Sequence, residues 1–310
     1  MPTRVSLALG SGGARGYAHI GAVRALQERD CELVAVAGTS MGALVGGLAA
    51  AGRLEEFAQW ATSLRQLDVL RLLNPRITGP GMMTADRLLD AIREIFSDVA
   101  IEDLPVPFTA VATDLAARRE VWFQHGPLRA AVRASIAIPG LFTPVMINGR
   151  VLVDGGLTNP VPIDPLAGIA SDLTVAVSLT GPRQRVREPV VPTHESAAPQ
   201  RFEEWRSRLR RTLANLTGRE EKDQALPAQP ARTGWGTDEL PDELTMRDVT
   251  AQSFEAMQAL VARYRMAAVP ADVLVTVPVD ACRTLDFHRA GELIDLGHRL
   301  ASEALDAAGV

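Results

Sequence analysis

The chain alternates short, nearly continuous apolar runs with longer stretches in which apolar residues recur every three or four positions. The short runs, residues 4–9, 33–37, 106–112, 120–123, 151–153, 173–179 and 273–277, fall below helical length and read as strands. Those at 173–179 and 273–277 are rich in valine, as suits strands covered on both faces. Helical spacing marks residues 17–28, where Ile20, Ala22, Val23 and Leu26 are available for burial, and residues 128–135, stopped by Pro139-Gly140. A closing amphipathic helix at 286–305 offers Phe287, Leu293, Ile294 and Leu300 as its buried face. Strand, glycine-rich loop, helix and second strand follow one another at the N-terminus, which predicts a βαβ unit and a parallel sheet.

Two stretches depart from this alternation. Residues 54–96 are helical in pattern but broken at 74–83, NPRITGPGMM, where two prolines and two glycines accompany Ile77, Met82 and Met83. The break suits either a cap over a pocket or a plain helix–helix connection. Residues 181–241 are rich in proline and charge and read as an insertion or flexible arm between core elements. Within it Phe202, Trp205, Leu209, Leu213 and Leu216 recur at gaps of 3, 4, 4 and 3, with Arg201, Arg206, Arg208, Arg210 and Arg211 around them. Such a basic amphipathic helix fits an anionic lipid interface, or a helix docked on its own domain with solvated arginines.

Composition narrows the class. The 310 residues are 47% hydrophobic, enough for one large α/β domain with a substantial core or for two small ones. A formal net charge of -5 argues against general nucleic-acid binding, which needs a basic surface. Cys31 and Cys282 are the only cysteines, so neither a disulfide framework nor a zinc site is expected, and both suit small core residues in a reducing cytosol. The N-terminal MPTRVSLALGSGGARG lacks the length and charge order of a signal peptide, and no stretch offers ~20 uninterrupted apolar residues. The expectation is a cytoplasmic protein, soluble or peripheral at a membrane.

The chemistry concentrates in three blocks. The central one is LVAVAGTSMGALVGG at 33–47, where Gly38-Thr39-Ser40-Met41-Gly42 places G-x-S-x-G between a strand and a helix. A serine that must project from a sharp turn needs strained backbone angles. Side chains two residues before and after it would collide as strand folds into helix, and Gly38 and Gly42 remove them. The helix aims its N-terminal amides and dipole at Ser40, favouring an anionic oxygen there. An ordinary tight turn with an exposed serine would carry the same five residues.

The second block is Gly10-Ser11-Gly12-Gly13-Ala14-Arg15-Gly16, between the first strand and helix. It does not match the dinucleotide fingerprint, because a serine elbow occupies the strand end where an acidic ribose-binding residue belongs. Successive amides of Gly12, Gly13 and Ala14 at a helix N-terminus suit a tetrahedral oxyanion instead, with Arg15 as an anchor of the loop. The third block, Val151-Leu152-Val153-Asp154-Gly155-Gly156, puts a carboxylate at a strand end. A surface turn would look the same, yet a serine nucleophile needs a nearby base.

In this order GSGGARG, GTSMG and DGG resemble the patatin-like phospholipase family, and within it the bacterial branch related to neuropathy target esterase. The similarity extends through GYAHIGAVRAL, RASIAIPGLFTPV and DGGLTNPVP, spans residues 4–180, and continues more weakly in FHRAGELIDLGHRLA. The resemblance implies a three-layer α/β/α fold with a mostly parallel central sheet. Residues 1–310 would form a single hydrolase domain, with the insertion at about 181–241. It also implies a Ser–Asp dyad without a catalytic histidine, in which Ser40 is the nucleophile and Asp154 its base. Gly12, Gly13 and Ala14 would supply the oxyanion hole, supported by Gly10, Arg15, Gly16, Gly38, Gly42, Gly155 and Gly156. Ser11 stands where many relatives have another glycine. The implied substrate is a phospholipid or lysophospholipid ester, cleaved through an acyl-enzyme with no metal or cofactor.

Other readings share these residues. Ser40, Asp154 and His288 satisfy the chain order of a Ser–acid–His triad, but His288 and His298 fall in a helical stretch rather than a loop beyond a strand. His19 reads as local packing or capping, and His194 as an exposed residue of the arm; His125 carries no motif. Acyl transfer would use the same acyl-enzyme with an alcohol or thiol as acceptor, although a malonyl-transferase-like elbow carries histidine where this chain has Thr39. A non-catalytic lipid-binding module is the remaining alternative, against which the intact Ser40, Asp154 and glycine loop argue.

Overall fold

The computed structural model describes residues 1–72, 81–83, 85–96, 98–183 and 246–310. From residue 184 onward the expected arm, with its Phe202 to Leu216 pattern and His194, lies outside the described residues.

Strand β1 (Thr3–Leu9) leads through a tight 3-10 turn, Gly13–Tyr17, into helix α1 (Ala18–Gln27), which returns the chain to β2 (Cys31–Thr39) alongside β1 and parallel to it. This is the expected βαβ unit. β2 outruns the apolar run that predicted it at both ends, because Cys31 pairs with Thr3 and Thr39 pairs with Val111. Helices α2 (Met41–Ala50), α3 (Leu54–Ser63) and α4 (Gln66–Leu72) follow.

The break expected at 74–83 ends in strand β3 (Gly81–Met83), which leads to the short helices α5 (Asp86–Ala91) and α6 (Arg93–Phe96). β3 pairs in parallel with a distant partner, β6 (Gly140–Phe142), in a small separate sheet. Residues 73–80 lie outside the described ones. The remaining strands are β4 (Phe108–Asp114), β5 (Arg119–Phe123), β7 (Val145–Ile147), β8 (Arg150–Asp154), β9 (Leu173–Gly181) and β10 (Val273–Pro278). They are joined by α7 (Leu128–Ser135) and α8 (Met246–Ala268), and α9 (Ala290–Ala308) closes the chain.

The main sheet runs β10-β9-β1-β2-β4-β8-β7. Its first five strands are parallel, whereas β5 and β8 pair antiparallel with β4, and β7 antiparallel with β8. Strand alternation divides the core between two faces. Val5, Leu7, Leu9, Val175, Val177, Val273 and Val275 join α1, α2, α3 and α9 in one large cluster. On the other face Ala8, Ala35, Ala37 and Ala176 meet Val161, Ile163 and Leu166, with Ala262 and Met266 of α8. Helices therefore cover a mostly parallel sheet on both sides, the three-layer α/β/α arrangement that the motifs implied.

Nothing in the apolar pattern announces α8, because its pattern is inverted. Its inner face carries the buried Gln258 and Ala262, while Val249, Met257, Leu260 and Tyr264 are exposed.

α1 and α9 approach so closely that glycine is required at their crossing. A Cβ on Gly297 would lie 2.0 Å from Ala18 O, and one on Gly21 would lie 2.0 Å from Ile294 O. Gly291, in the first turn of α9, has nothing within 4 Å of that position. Gly297→Ala is therefore expected to lower stability by at least about 2 kcal/mol through forced separation of the two helices. Gly291→Ala should raise it by about 0.5–1 kcal/mol, because alanine is the better helix former. Thermal melts of the two variants check this, and equal melting points would contradict the packing.

Candidate active site

Two strand ends meet head-on along one edge of β4. Ala110 pairs with Gly38 of β2 on one side and with Phe123 of β5 on the other, and Ala112 pairs with Asp154 of β8 and with Val121 of β5. β2 and β8 thus share the edge opposite β5. β2 runs parallel to β4 and reaches Val111 at Thr39, whereas β8 runs antiparallel and reaches Ala112 at Asp154. Ser40 and Asp154, remote in sequence, are brought together by consecutive positions of a third strand.

Ser40 has φ 57° and ψ −123°, a backbone conformation that L-residues rarely adopt, and it caps α2. A side chain on Gly38 would place its Cβ 2.2 Å from Gly42 O, the collision expected of a tight elbow. Gly42 is small for a different reason than its spacing suggests. Its Cβ would lie 2.1 Å from Leu9 O and 2.8 Å from Gly10 O, so its absence lets the elbow helix close against the end of β1 and the glycine loop.

Hydrogen bonds hold both candidate residues from behind. The Ser40 N–H donates to Ser135 Oγ at 2.8 Å, and the Ser135 hydroxyl donates to Val111 O at 2.5 Å. The Asp154 N–H donates to Ala137 O at 2.9 Å, and Asp154 O accepts from Thr113 Oγ1 at 3.0 Å. The segment from Ser135 to Ala137 therefore fixes the two together. Asp154 is 1% exposed, and its Oδ1 accepts the Gly156 N–H at 2.7 Å. Its Oδ2 is buried without a hydrogen-bond partner among the described residues. Burial pushes the Asp154 carboxyl up to about 6, opposed by the Ser40 hydroxyl and the Gly156 amide. The carboxylate thus senses the serine hydroxyl, although the two form no tight hydrogen bond in this conformation.

The glycine loop is pinned at both ends. The Gly10 N–H donates to Val177 O and the Ser11 N–H to Pro160 O. The Ala14 N–H donates to Thr284 O at 2.9 Å, so it is occupied rather than free as the loop pattern suggested. Gly12 and Gly13 keep N–H groups with no acceptor among the described residues. Arg15 is an anchor, donating to Val279 O at 2.7 Å and pairing with Glu255 of α8 at 3.0 Å. Gly10, Gly16, Gly155 and Gly156 are all buried around these groups.

The histidines take other roles. His19 is fully buried with Nε2 2.8 Å from Gly10 O, and burial pushes its ring down to about 4, so the neutral imidazole donates to the loop carbonyl. His298 pairs with Glu28 at 2.7 Å, and His125 and His288 are exposed. None of these four is hydrogen-bonded to Ser40 or Asp154 among the described residues, so the triad through His288 does not form. Among the described residues, no group of three or more His, Cys, Asp or Glu is placed to hold a metal ion.

Several supporting groups escape any reading of the sequence. Asn159 Nδ2 donates to Glu120 at 2.8 Å, and Arg265 of α8 bridges Glu120 at 2.8 Å and Asp164 at 2.9 Å, behind the loop that carries Asp154. Thr39 Oγ1 ties the elbow to the same loop through Asn159 O at 2.8 Å. Ser135 lies in a segment already marked by the family resemblance, but the inward direction of its hydroxyl depends on where α7 meets β4.

A sequence profile of the family described as Patatin, patatin-like phospholipase, matches residues 7–167. An uncharacterized NTE family protein of Mycobacterium tuberculosis is 45% identical over 337 residues, covering 98% of this chain and 92% of its own length. The patatin-like phospholipase domain-containing protein 6 of Homo sapiens is 35% identical over 184 residues, covering 56% of this chain and 13% of its own. A crystal structure of VipD from Legionella pneumophila superposes with a TM-score of 0.46 and 12% identity, over 99% of this chain and 67% of that one. The chain belongs to the patatin-like phospholipase family, whose members are in general lipid acyl hydrolases.

Asp154 also makes stability depend on pH. Its folded carboxyl stands at about 6 against an ordinary 3.8, so between those values the folded state holds a proton that the unfolded chain has released. Stability accordingly falls as pH rises through that window and stays lower above it. Asp154→Asn should melt with the wild type near pH 4 and above it at neutral pH, by up to about 3 kcal/mol. Unfolding curves across this range check it; an Asn variant less stable than wild type at neutral pH would contradict the assignment.

Proposed function

We propose that this protein is a serine esterase acting on acyl esters of phospholipids or lysophospholipids, with Ser40 as nucleophile and Asp154 as its base. The observation that carries the reading is a strained serine at a helix N-terminus and a buried carboxylate, brought together by consecutive positions of β4. Asp154 takes the Ser40 proton as Oγ bonds to the ester carbonyl carbon, then passes it to the departing alcohol. An acyl-enzyme remains. Water attacks it with Asp154 again as base, the acid leaves, and the proton returns to Ser40.

The Gly12 and Gly13 amides, without an acceptor among the described residues, are suited to the developing oxyanion. The N-terminus of α2 adds to them, since the Ala43 and Leu44 amides bond back to Ser40 O while those of Met41 and Gly42 remain available. No metal or cofactor enters this scheme.

A fluorophosphonate probe should label wild type and leave Ser40→Ala and Asp154→Asn unlabelled, with loss of ester hydrolysis in both. Because the base must be ionised, kcat/KM should rise with pH through about 6. Hydrolysis surviving in folded Ser40→Ala would sink the scheme. An ester product formed with an added alcohol would mark acyl transfer as a competing outcome.

The outer face of α8 supports a substrate presented at a lipid surface. Val249, Met257, Leu260 and Tyr264 are exposed there, and Arg263, a cation, is the only charge among the exposed described side chains of that helix. Met257→Asp with Leu260→Asp should weaken flotation with anionic liposomes and slow hydrolysis of vesicle lipid, leaving a soluble short-chain ester unaffected. Equal flotation of variant and wild type would remove α8 from the interface.

A further inference from the structure

Three polar side chains from distant parts of the chain meet over the Cα of Gly156. A Cβ there would lie 2.2 Å from Gln258 Nε2, 2.9 Å from Asp154 Oδ1 and 2.9 Å from Ser11 Oγ, which accounts for the glycine. All three side chains are buried: Gln258 is 9% exposed, Ser11 3% and Asp154 1%. Ser11 Oγ has no hydrogen-bond partner among the described residues, and Asp154 Oδ1 accepts the Gly156 N–H, which leaves it a further acceptor site. A buried hydroxyl without a partner is costly, and its convergence with an amide donor and a carboxylate oxygen on one point signals a shared polar guest.

The donor and acceptor types define that guest. An ionised Asp154 oxygen only accepts, the Gln258 amide nitrogen only donates, and a serine hydroxyl does either. Together they complement a single water, which donates and accepts at once. The acylation half of the reaction needs no such site, because the Ser40 proton passes to Asp154 directly. Deacylation does need one: a water whose proton Asp154 can take.

Both additional groups are firmly held. The Ser11 main chain donates to Pro160 O at 2.8 Å, and Gln258 projects from α8, which grips the core through Glu255 on Arg15 and Arg265 on Glu120 and Asp164.

We propose that Ser11 and Gln258 hold the hydrolytic water against Asp154 and thereby direct the acyl-enzyme to hydrolysis rather than transfer. The proposal rests on reading Ser40 and Asp154 as the dyad. In the step, the water oxygen bonds to the acyl carbon as its proton moves to Asp154. The acyl carbon–Oγ bond then breaks, Ser40 Oγ regains the proton, and the carboxylic acid departs.

The test uses Ser11→Ala, which removes a single oxygen, Gln258→Leu, which keeps the side-chain shape, and the pair together. Each is given a short-chain p-nitrophenyl ester with methanol as competing acceptor. The rate of fluorophosphonate labelling should match wild type in all three variants. In the double variant free acid should form about tenfold more slowly, the ratio of methyl ester to acid should rise about as much, and the acyl-enzyme should accumulate by intact mass. An unchanged ester-to-acid ratio in variants of a labelled, active wild type would overturn the water site alone. Labelling and turnover falling together in Ser11→Ala would also overturn it, by showing a structural role. A wild type that neither labels nor turns over would fail at the dyad itself, and the water site with it.

Discussion

The meeting of β2 and β8 on one edge of β4 is the constraint on which the site depends. A parallel strand and an antiparallel strand cannot share an edge without ending against each other, and here they end at Val111 and Ala112. The chain must turn away from the sheet at both ends. At β2 it turns through a strained serine into a helix, and at β8 it turns through two glycines. The opposed ends bring Ser40 and Asp154 together without any ladder between their strands.

That arrangement is unfavourable by itself. Ser40 holds a conformation L-residues avoid, and Asp154 keeps a carboxyl away from water. The surrounding structure offsets both with short bonds to the backbone and to one carboxyl oxygen. Ser135 links the Ser40 amide to Val111, the Ala137 carbonyl and Thr113 hold the Asp154 backbone, and the Gly156 amide occupies Oδ1. Strain and desolvation persist because the packed frame over-determines the positions.

α8 connects this frame to the surface. Its inner face supplies Glu255 to Arg15, Arg265 to the acids behind the Asp154 loop, and Gln258 to the space over Gly156. Its outer face exposes Val249, Met257, Leu260 and Tyr264. One helix thus touches the glycine loop, the aspartate loop and solvent, which accounts for a polarity opposite to that of an ordinary surface helix. The same inversion hides it from a search for amphipathic pattern, whereas α1 and α9, with buried apolar stripes, were plain.

Much of the protein was legible in its sequence because short-range rules govern it. The βαβ start, the elbow around Ser40, the glycine loop and the Asp154 strand end each follow from the spacing of a few adjacent residues, and their order sufficed to identify the family. The antiparallel turn of the sheet beyond β4, the pairing of β3 with β6, the burial of Ser135 and the role of α8 did not follow from such rules. Neither did the occupation of the Ala14 amide by Thr284. Local spacing determines which residues are able to bend, cap or react. Which carbonyl meets which amide across long sequence separations is decided only when the strands take their neighbours, because those bonds join segments whose sequences carry no trace of each other.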